Sequence, residues 1–252
     1  MKKLICICLL LLASSAHAVD WRSVLMSDNA ASTGGITYIG GSYQYQSGGA
    51  MTVILPQPTG VVEGNVIILG SQINVASITT TWPSGFTEIA AIDSIIQTQR
   101  IAYKVATASE PSTYTITLNG TGYPHIAGAI LAYSGTNTTT PIEAYTATYY
   151  GTSDGFITNH TTVGVGVTSG TANRKLVMIS GAIANAVWAM YTPPSGYATE
   201  FYNLHLSIEL MFCISDYTDS PGTNTSNATA TNTLVSADDA LRWAFLLALK
   251  PL

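Results

Sequence analysis

Charged side chains are scarce in this chain of 252 residues. They make up 9% of it, against about 25% in an average soluble domain. Acidic residues outnumber basic ones by 14 to 9, which gives a net charge of −5. Nucleic acids and anionic membrane surfaces are bound by basic patches. We therefore expect neither of them as a partner.

Cysteine and histidine are also rare, with three and four copies. Cys6 and Cys8 lie in the apolar N-terminal segment, so Cys213 is the one cysteine of the remaining chain and no internal disulfide can form there. The sequence contains no Gly-x-Ser-x-Gly motif, no closely spaced histidine pair and no glycine-rich phosphate loop. These gaps predict a non-catalytic protein with no cofactor and no metal.

Residues 1–18 have the features of a secretory signal peptide. Lys2 and Lys3 precede an apolar stretch, and Ala16-His17-Ala18 has the small-x-small pattern of a cleavage site. The apolar stretch is shorter than the roughly 20 residues of a membrane-spanning helix. We expect a mature chain that begins at Val19, has no membrane span and is secreted or held at the cell surface.

What the sequence does contain is β-structure. Short apolar runs rich in Val, Ile, Thr and Tyr alternate with Gly, Pro, Asn and Ser. Tyr114–Leu118 alternates between apolar residues and threonine, which is typical of a strand with one solvated face. Fourteen strands are predicted, at 36–45, 51–55, 65–73, 86–93, 99–106, 114–118, 125–133, 145–150, 161–167, 175–183, 197–202, 207–215, 227–234 and 241–249.

The strands fall into two similar halves. Pro83-Ser84-Gly85-Phe86 recurs as Pro194-Ser195-Gly196-Tyr197 at an offset of 111, and the apolar run 66–69 recurs at 176–179 at an offset of 110. We predict an all-β antiparallel sandwich of jelly-roll type over residues 19–252, built from two repeats at about 34–140 and 145–252. Two tandem sandwiches are the alternative.

The first half also carries a family signature. It runs through Leu55-Pro56, Gly64-Asn65-Val66-Ile67-Ile68, Trp82-Pro83-Ser84-Gly85-Phe86-Thr87 and the segment from Tyr103 to Thr115. This signature resembles a secreted and phage-encoded β-sandwich family found in phage tail or minor virion proteins and in bacterial surface proteins. The resemblance implies a fold and a setting but no active site.

Aromatic residues are the candidate ligand-binding side chains. Flat aromatic faces bind sugar rings, and Asn, Gln and Thr supply hydrogen bonds, so a glycan or cell-surface polymer is the expected partner. The alternative is that these aromatics fill the core. The candidates are Tyr43, Tyr45, Tyr149, Tyr150, Trp188 and Tyr191.

Carboxylates suggest two further possibilities. Asp216 with Asp219, or Asp238 with Asp239, could ligate calcium, although neither pair has the spacing of a calcium loop. Glu88 and Glu200 follow the two matching turns and could form a glycosidase pair, which would make the protein a polysaccharide-degrading enzyme. Surface solvation and equivalent strand positions explain the same residues more simply.

The first predicted strand, 36–45, contains no charged residue. Sheet edges are normally protected by charge or proline, so an unprotected first strand predicts a homo-oligomer, a filament or a virion-like coat assembled by strand pairing. The competing expectation is that the segments around Tyr38 and Tyr149 pair within one molecule and close the edge.

Overall fold

A computed structural model of the protein describes residues 35–46, 48–94, 97–121, 125–150, 157–164, 173–184, 188–205, 210–218, 228–238 and 240–252. The predicted leader lies outside these residues. The described part contains no helix, and its strands pair antiparallel. The strands are β1 (Thr37–Gln46), β2 (Thr52–Pro56), β3 (Val66–Ile73), β4 (Thr79–Thr81), β5 (Thr87–Asp93), β6 (Thr98–Val105), β7 (Thr113–Asn119), β8 (Ile126–Ser134), β9 (Ile142–Tyr150), β10 (Ile157–Gly164), β11 (Lys175–Ala184), β12 (Trp188–Thr192), β13 (Ala198–His205), β14 (Leu210–Thr218), β15 (Ala228–Asp238) and β16 (Ala240–Leu249).

The all-β antiparallel sandwich is confirmed, and each of the fourteen predicted strands is present. The prediction missed two strands, β4 and β12, which are the fourth strand of each half. β4 has three residues and β12 has five. β4 is too short to show a clear alternation of apolar and polar side chains, and the sequence of β12, Trp-Ala-Met-Tyr-Thr, does not alternate.

The two halves have the same strand order. The first half forms a five-stranded sheet, β1-β8-β3-β6-β5, and a three-stranded sheet, β2-β7-β4. The second half forms the matching sheets β9-β16-β11-β14-β13 and β10-β15-β12. Each half therefore has jelly-roll connectivity, with its fifth strand added to the larger sheet.

The two five-stranded sheets pack face to face. Val66 and Ile68 of β3 lie in one cluster with Val177 and Ile179 of β11 and with Phe245 of β16, which we call the shared core. Ile67 and Leu69 point to the other side of β3 and pack with the three-stranded sheet of the first half, in what we call the inner core. The layers are thus three-stranded, five-stranded, five-stranded and three-stranded. Strands β3, β8 and β16 are mostly apolar because both of their faces are covered.

This packing corrects the alignment of one part of the repeat. Val66 faces the shared core, and so does Val177. An offset of 110 would align Val66 with Leu176, but adjacent residues of a strand point to opposite faces. The offset must therefore be odd, and 111 also aligns Gly70 with Gly181.

An offset of 111 also relates the two Pro-Ser-Gly turns. The backbone N–H of Phe86 donates to the carbonyl of Pro83 at 3.2 Å, and that of Tyr197 donates to Pro194 at 3.0 Å. Gly85 and Gly196 have φ values of 85° and 83°. A positive φ at the third residue is what a type II turn requires, and glycine adopts it without strain.

The connection between the halves is ordered. The backbone N–H of Asn137 donates to the carbonyl of Lys250, and the N–H of Lys250 donates to the carbonyl of Pro141, both at 2.8 Å. The N–H of Leu252 donates to Gly135 at 3.1 Å. Residues 135–141 therefore form a short loop that is attached to the C-terminal residues.

One end of the interface between the five-stranded sheets is polar. Gln72, Gln97 and Gln99 are fully buried there, at neighbouring positions of β3 and around the start of β6. The Gln72 amide donates to the backbone carbonyl of Ala182 at 3.1 Å and so links the two halves directly. Within the described part of the chain, the side-chain amide atoms of Gln97 and Gln99 have no hydrogen-bond partner, and unpartnered buried amides are unfavourable.

We predict that Ile68→Asp abolishes folding, because it places a carboxylate in the shared core, where Ile68 is fully buried. Far-UV circular dichroism and thermal unfolding will measure the loss of cooperative β-structure. Ile54→Asp is the matched control, since Ile54 is 54% exposed and surface changes usually alter stability by less than about 0.5 kcal/mol. Equal damage by both variants would contradict the layered packing.

Candidate functional site

An open cleft lies where β5 and β6 of the first half meet β9 of the second half. Its volume is about 460 Å³. β5 and β9 are edge strands of the two facing sheets, so the cleft follows one flank of the shared core. It is lined by Glu88, Ile89, Tyr103, Ile142, Glu143, Ala144 and Tyr145.

The cleft has an apolar floor and a polar rim. Ile89, Tyr103 and Ile142 are half-buried and pack against the shared core. Tyr145 is 50% exposed and is one of few large apolar side chains in the described residues to be so open. Glu88, Glu143 and Ala144 complete the lining.

Glu88 is held in place by two donors. The indole Nε1 of Trp82 donates to its Oε2 at 2.9 Å, and Nη1 of Arg100 donates to its Oε1 at 3.1 Å. Nη2 of Arg100 also contacts both oxygens of Asp93 at 3.2 Å. The carboxylate thus has a fixed orientation, and its remaining lone pairs can accept further hydrogen bonds.

The arrangement suits a ligand with an apolar ring face and several hydroxyl donors. An exposed tyrosine ring offers a flat contact surface, and carboxylate oxygens accept hydrogen bonds from hydroxyl groups. The described residues contain no group of three side chains suited to metal binding.

A second carboxylate, Glu110, lies in the loop between β6 and β7, away from the cleft lining. Nζ of Lys104 and the hydroxyl of Tyr114 both donate to its Oε2 at 2.8 Å. The backbone N–H of Thr107 donates to its Oε1 at 2.6 Å, and the Thr107 hydroxyl does so at 2.8 Å. The carboxylate is a structural acceptor that closes this loop.

These contacts shift the pKa values of Glu110 and Tyr114. Burial alone would raise the pKa of Glu110, but the hydrogen bonds from Lys104, Thr107 and Tyr114 outweigh burial and lower it from 4.5 to about 2. Burial and the neighbouring Glu110 carboxylate raise the pKa of the Tyr114 phenol. Glu110 therefore stays ionised in the folded protein at pH values where it would be protonated in the unfolded chain.

We predict that Glu110 contributes to acid stability. Its folded pKa of about 2 lies below the ordinary 4.5, so its contribution is complete above about pH 4.5 and is lost as the pH falls toward 2. Glu110→Gln should lower the free energy of unfolding near neutral pH by about 2 kcal/mol and flatten its pH dependence in this window. Urea unfolding at several pH values measures both effects. Glu63→Gln, an exposed change, is the control, and an unchanged pH profile in Glu110→Gln would contradict the assignment.

Tyr43 and Tyr45, two of the predicted ligand-binding residues, lie on β1 and are half-buried. Tyr43 packs against the shared core. The Tyr45 hydroxyl contacts Nδ1 of His125, and the two rings stack with centroids 6.1 Å apart. Both side chains thus have contacts within the protein.

The other four predicted residues lie elsewhere. Tyr149 and Tyr150 are on β9, and Trp188 and Tyr191 are on β12. β1 and β9 are edges of different five-stranded sheets, and β12 is an edge of a three-stranded sheet. The structure does not gather the six residues on one strand or one sheet edge.

Sequence reasoning named Glu88 as a candidate but missed Tyr145 and Glu143 of the cleft lining. Tyr145 shares a face of β9 with the predicted Tyr149, because both lie opposite residues of the shared core. The sequence signal was available, since Tyr145 and Tyr149 are separated by an even number of residues in a predicted strand. What the sequence did not show is that β9 lies beside β5.

The topology separates the proposed glycosidase pair. Glu88 is on β5, which contacts β9, whereas Glu200 is on β13, which contacts β1. β1 and β5 are opposite edges of one five-stranded sheet, about 19 Å apart at 4.8 Å per strand. Glycosidase carboxylates are at most about 9.5 Å apart, so Glu88 and Glu200 do not form such a pair.

The acidic residues suggested for calcium are also placed differently. Asp216 is buried in β14, and its carboxylate forms an ion pair with Lys175 at 3.0 Å. Asp238 ends β15, and Asp219 and Asp239 lie outside the described residues. Asp216 is therefore part of the second half's interior and not of an exposed loop.

The edge strands β1 and β9 do not pair with each other. Tyr38 lies opposite Tyr133 of β8, and Tyr149 lies opposite Trp243 of β16. The expectation that the segments around Tyr38 and Tyr149 close an edge together is therefore wrong. Among the described strands, β1 has β8 as its one neighbour in the sheet.

Comparison of the chain with protein-family models, with curated proteins and with solved structures finds no match. In the part of the chain that the structure describes, no helix is long and apolar enough to cross a membrane. The function must therefore be argued from the surfaces described above.

Proposed function

We propose that this protein is an exported, non-catalytic module that attaches to or decorates a surface by binding glycan, and that the cleft between β5 and β9 holds the sugar. The observation that carries the proposal is Tyr145, a half-exposed tyrosine on the rim of a cleft of about 460 Å³. A cleft of this size lies within the range of small-ligand sites.

The composition of the cleft favours a sugar over a purely apolar ligand. The floor of Ile89, Tyr103 and Ile142 can cover the apolar face of a sugar ring. Glu88 and Glu143 are acidic residues of the lining, and carboxylate oxygens accept hydrogen bonds. Sugar hydroxyls donate hydrogen bonds. The ring face would therefore contact the apolar floor, and the hydroxyl groups would donate to carboxylate oxygens.

The same contacts support a binding role and not hydrolysis. A glycosidase needs one carboxylic acid that can donate a proton to the leaving oxygen. Both oxygens of Glu88 already accept hydrogen bonds, one from an indole and one from a guanidinium group. It is thus suited to accept hydrogen bonds from a bound sugar.

We predict that Tyr145→Ala abolishes glycan binding, because it removes the exposed ring of the cleft. A glycan array followed by affinity electrophoresis on the polysaccharides that score will measure it. Val62→Ala is the matched control, since Val62 is also an exposed apolar residue but lies in the loop between β2 and β3. Tyr145→Ala should weaken binding by at least about tenfold, or about 1.4 kcal/mol, and Val62→Ala should leave it unchanged.

Two outcomes would contradict this assignment. Loss of binding in Trp188→Ala or Tyr43→Ala, with Tyr145→Ala unaffected, would move the site to β12 or β1. Cleavage of a polysaccharide that is lost in Glu88→Gln would show an enzyme instead of a binding module.

Self-assembly is a second candidate function, and the composition of β1 favours it. β1 is a ten-residue edge strand without a charged side chain. The other three edges of the five-stranded sheets each carry a carboxylate, namely Glu88 on β5, Glu143 on β9 and Glu200 on β13. Among the edges of the five-stranded sheets, β1 is therefore the best suited to pair with a second copy, in an oligomer, a filament or a virion or tail component.

If β1 mediates assembly, Gln44→Lys with Gln46→Lys should convert the oligomer to a monomer, because two added cations repel across a strand pair. Light scattering at tens of micromolar measures the mass. Glu88→Lys on β5 is the control. A wild-type protein that is monomeric at this concentration would rule out assembly. Deletion of β1 is not suitable, since Tyr38 and Tyr43 contribute to the shared core.

A further inference from the structure

The outer face of the sheet β2-β7-β4 carries a regular array of threonines. On β7, Thr113, Thr115 and Thr117 occupy alternate positions, and the residues between them are buried in the inner core. Thr52 of β2 and Thr81 of β4 both lie opposite Thr117. The array, as we call it here, consists of Thr52, Thr79, Thr81, Thr113, Thr115 and Thr117.

The array has the spacing of the sheet itself. Neighbouring strands are about 4.8 Å apart, and alternate residues of one strand are about 6.8 Å apart. The row Thr52, Thr117 and Thr81 runs across the strands, and the column Thr113, Thr115 and Thr117 runs along β7. Hydroxyl and methyl groups thus repeat in two directions on one face.

Cross-strand hydrogen bonds order part of this face. The Asn119 side chain donates to the hydroxyl of Thr81 at 2.7 Å, and the hydroxyl of Thr79 donates to the carbonyl of Asn119 at 3.3 Å. β-branched side chains also have restricted rotamers. Little side-chain freedom would be lost when this face docks onto a partner.

No charged side chain lies on this face. Its remaining members are Ile54, Pro56 and Asn119. A surface that binds an anionic polymer needs basic residues, and the chain as a whole has a net charge of −5. The charge pattern therefore fits a neutral partner and disfavours an acidic polysaccharide.

The second half also has a row of three threonines that runs across its three-stranded sheet. Thr231 of β15 lies opposite Thr161 of β10 and also opposite Thr192 of β12, and Thr192 is exposed. Thr229 and Thr233 occupy the alternate positions on either side along β15. The three-stranded sheets of both halves thus have threonine at all three positions of one row.

We propose that the threonine array is a docking face for an ordered, neutral polysaccharide surface, in which hydroxyl groups repeat in two dimensions. This proposal rests on the proposed function in that the partner is a glycan, but it places the contact on a different surface. The cleft would bind a single sugar chain, and the array would bind the face of an assembled polymer.

The experiment compares a solid glycan with a soluble one. Partition onto microcrystalline cellulose and crystalline chitin is measured for the full-length mature protein, together with calorimetric binding of soluble oligosaccharides of the same sugars. The test variant is Thr52→Lys with Thr115→Lys, which adds two charges to exposed positions of the array. The control is Thr59→Lys with Thr139→Lys, which adds the same charges at exposed positions elsewhere. Thermal unfolding verifies that both variants fold.

We expect the array variant to bind the solid at least about tenfold more weakly and to bind soluble oligosaccharides like the wild type. Thr52→Val with Thr115→Val keeps the shape and removes two hydroxyls, and it should give an intermediate loss. The control variant should behave like the wild type on both ligands.

Three results would overturn the proposal. If the array variant still binds the solid glycan and Tyr145→Ala does not, the cleft binds the glycan and the array does not contribute. This result would support the proposed function and contradict the role of the array. No binding to any soluble or solid glycan would overturn the proposed function as well. Inhibition of ice growth that is lost in the array variant would identify ordered water, and not a polysaccharide, as the partner of this face.

Discussion

The face-to-face packing of the two five-stranded sheets is the interaction on which the other features depend. It buries one face of β3, β8 and β16 that would otherwise be solvated, and it brings Val66 and Ile68 against Val177 and Ile179. A half on its own would expose this apolar face. The cleft is also a product of the packing, because its walls come from β5 of one sheet and β9 of the other. Folding of the shared core and formation of the cleft are thus one event.

The buried glutamines oppose this packing at one end. Gln72, Gln97 and Gln99 reduce the apolar area of the interface, and unpartnered amide atoms cost free energy. The Gln72 side chain donates a hydrogen bond across the interface to the backbone carbonyl of Ala182. Such a bond forms in one alignment of the two sheets. Purely apolar faces could slide over each other more easily, so the polar end favours a single register at some cost in stability.

Much of the fold could be predicted from the sequence because apolar periodicity and turn residues are local signals. The double burial of 66–69 was visible as an uninterrupted apolar run, and Gly85 and Gly196 marked equivalent turns. The missed strand β4 is too short for a periodic signal. The offset of 110 in β3 was one residue wrong because Val66–Leu69 is apolar on both faces, so the sequence did not show which face each residue takes. The site was harder, since Tyr145 and Glu88 are brought together by the packing of two distant edges, a contact that no local pattern encodes.

The layer order of the sandwich has a geometric consequence. Two three-stranded sheets form the outermost layers, and in each sheet threonine occupies all three positions of one row across the strands. With packed sheets about 10 Å apart, three intervals separate these rows by roughly 30 Å. Two polymer sheets touching opposite sides of the molecule would be cross-linked at a fixed separation, set by the thickness of the protein and not by a flexible linker.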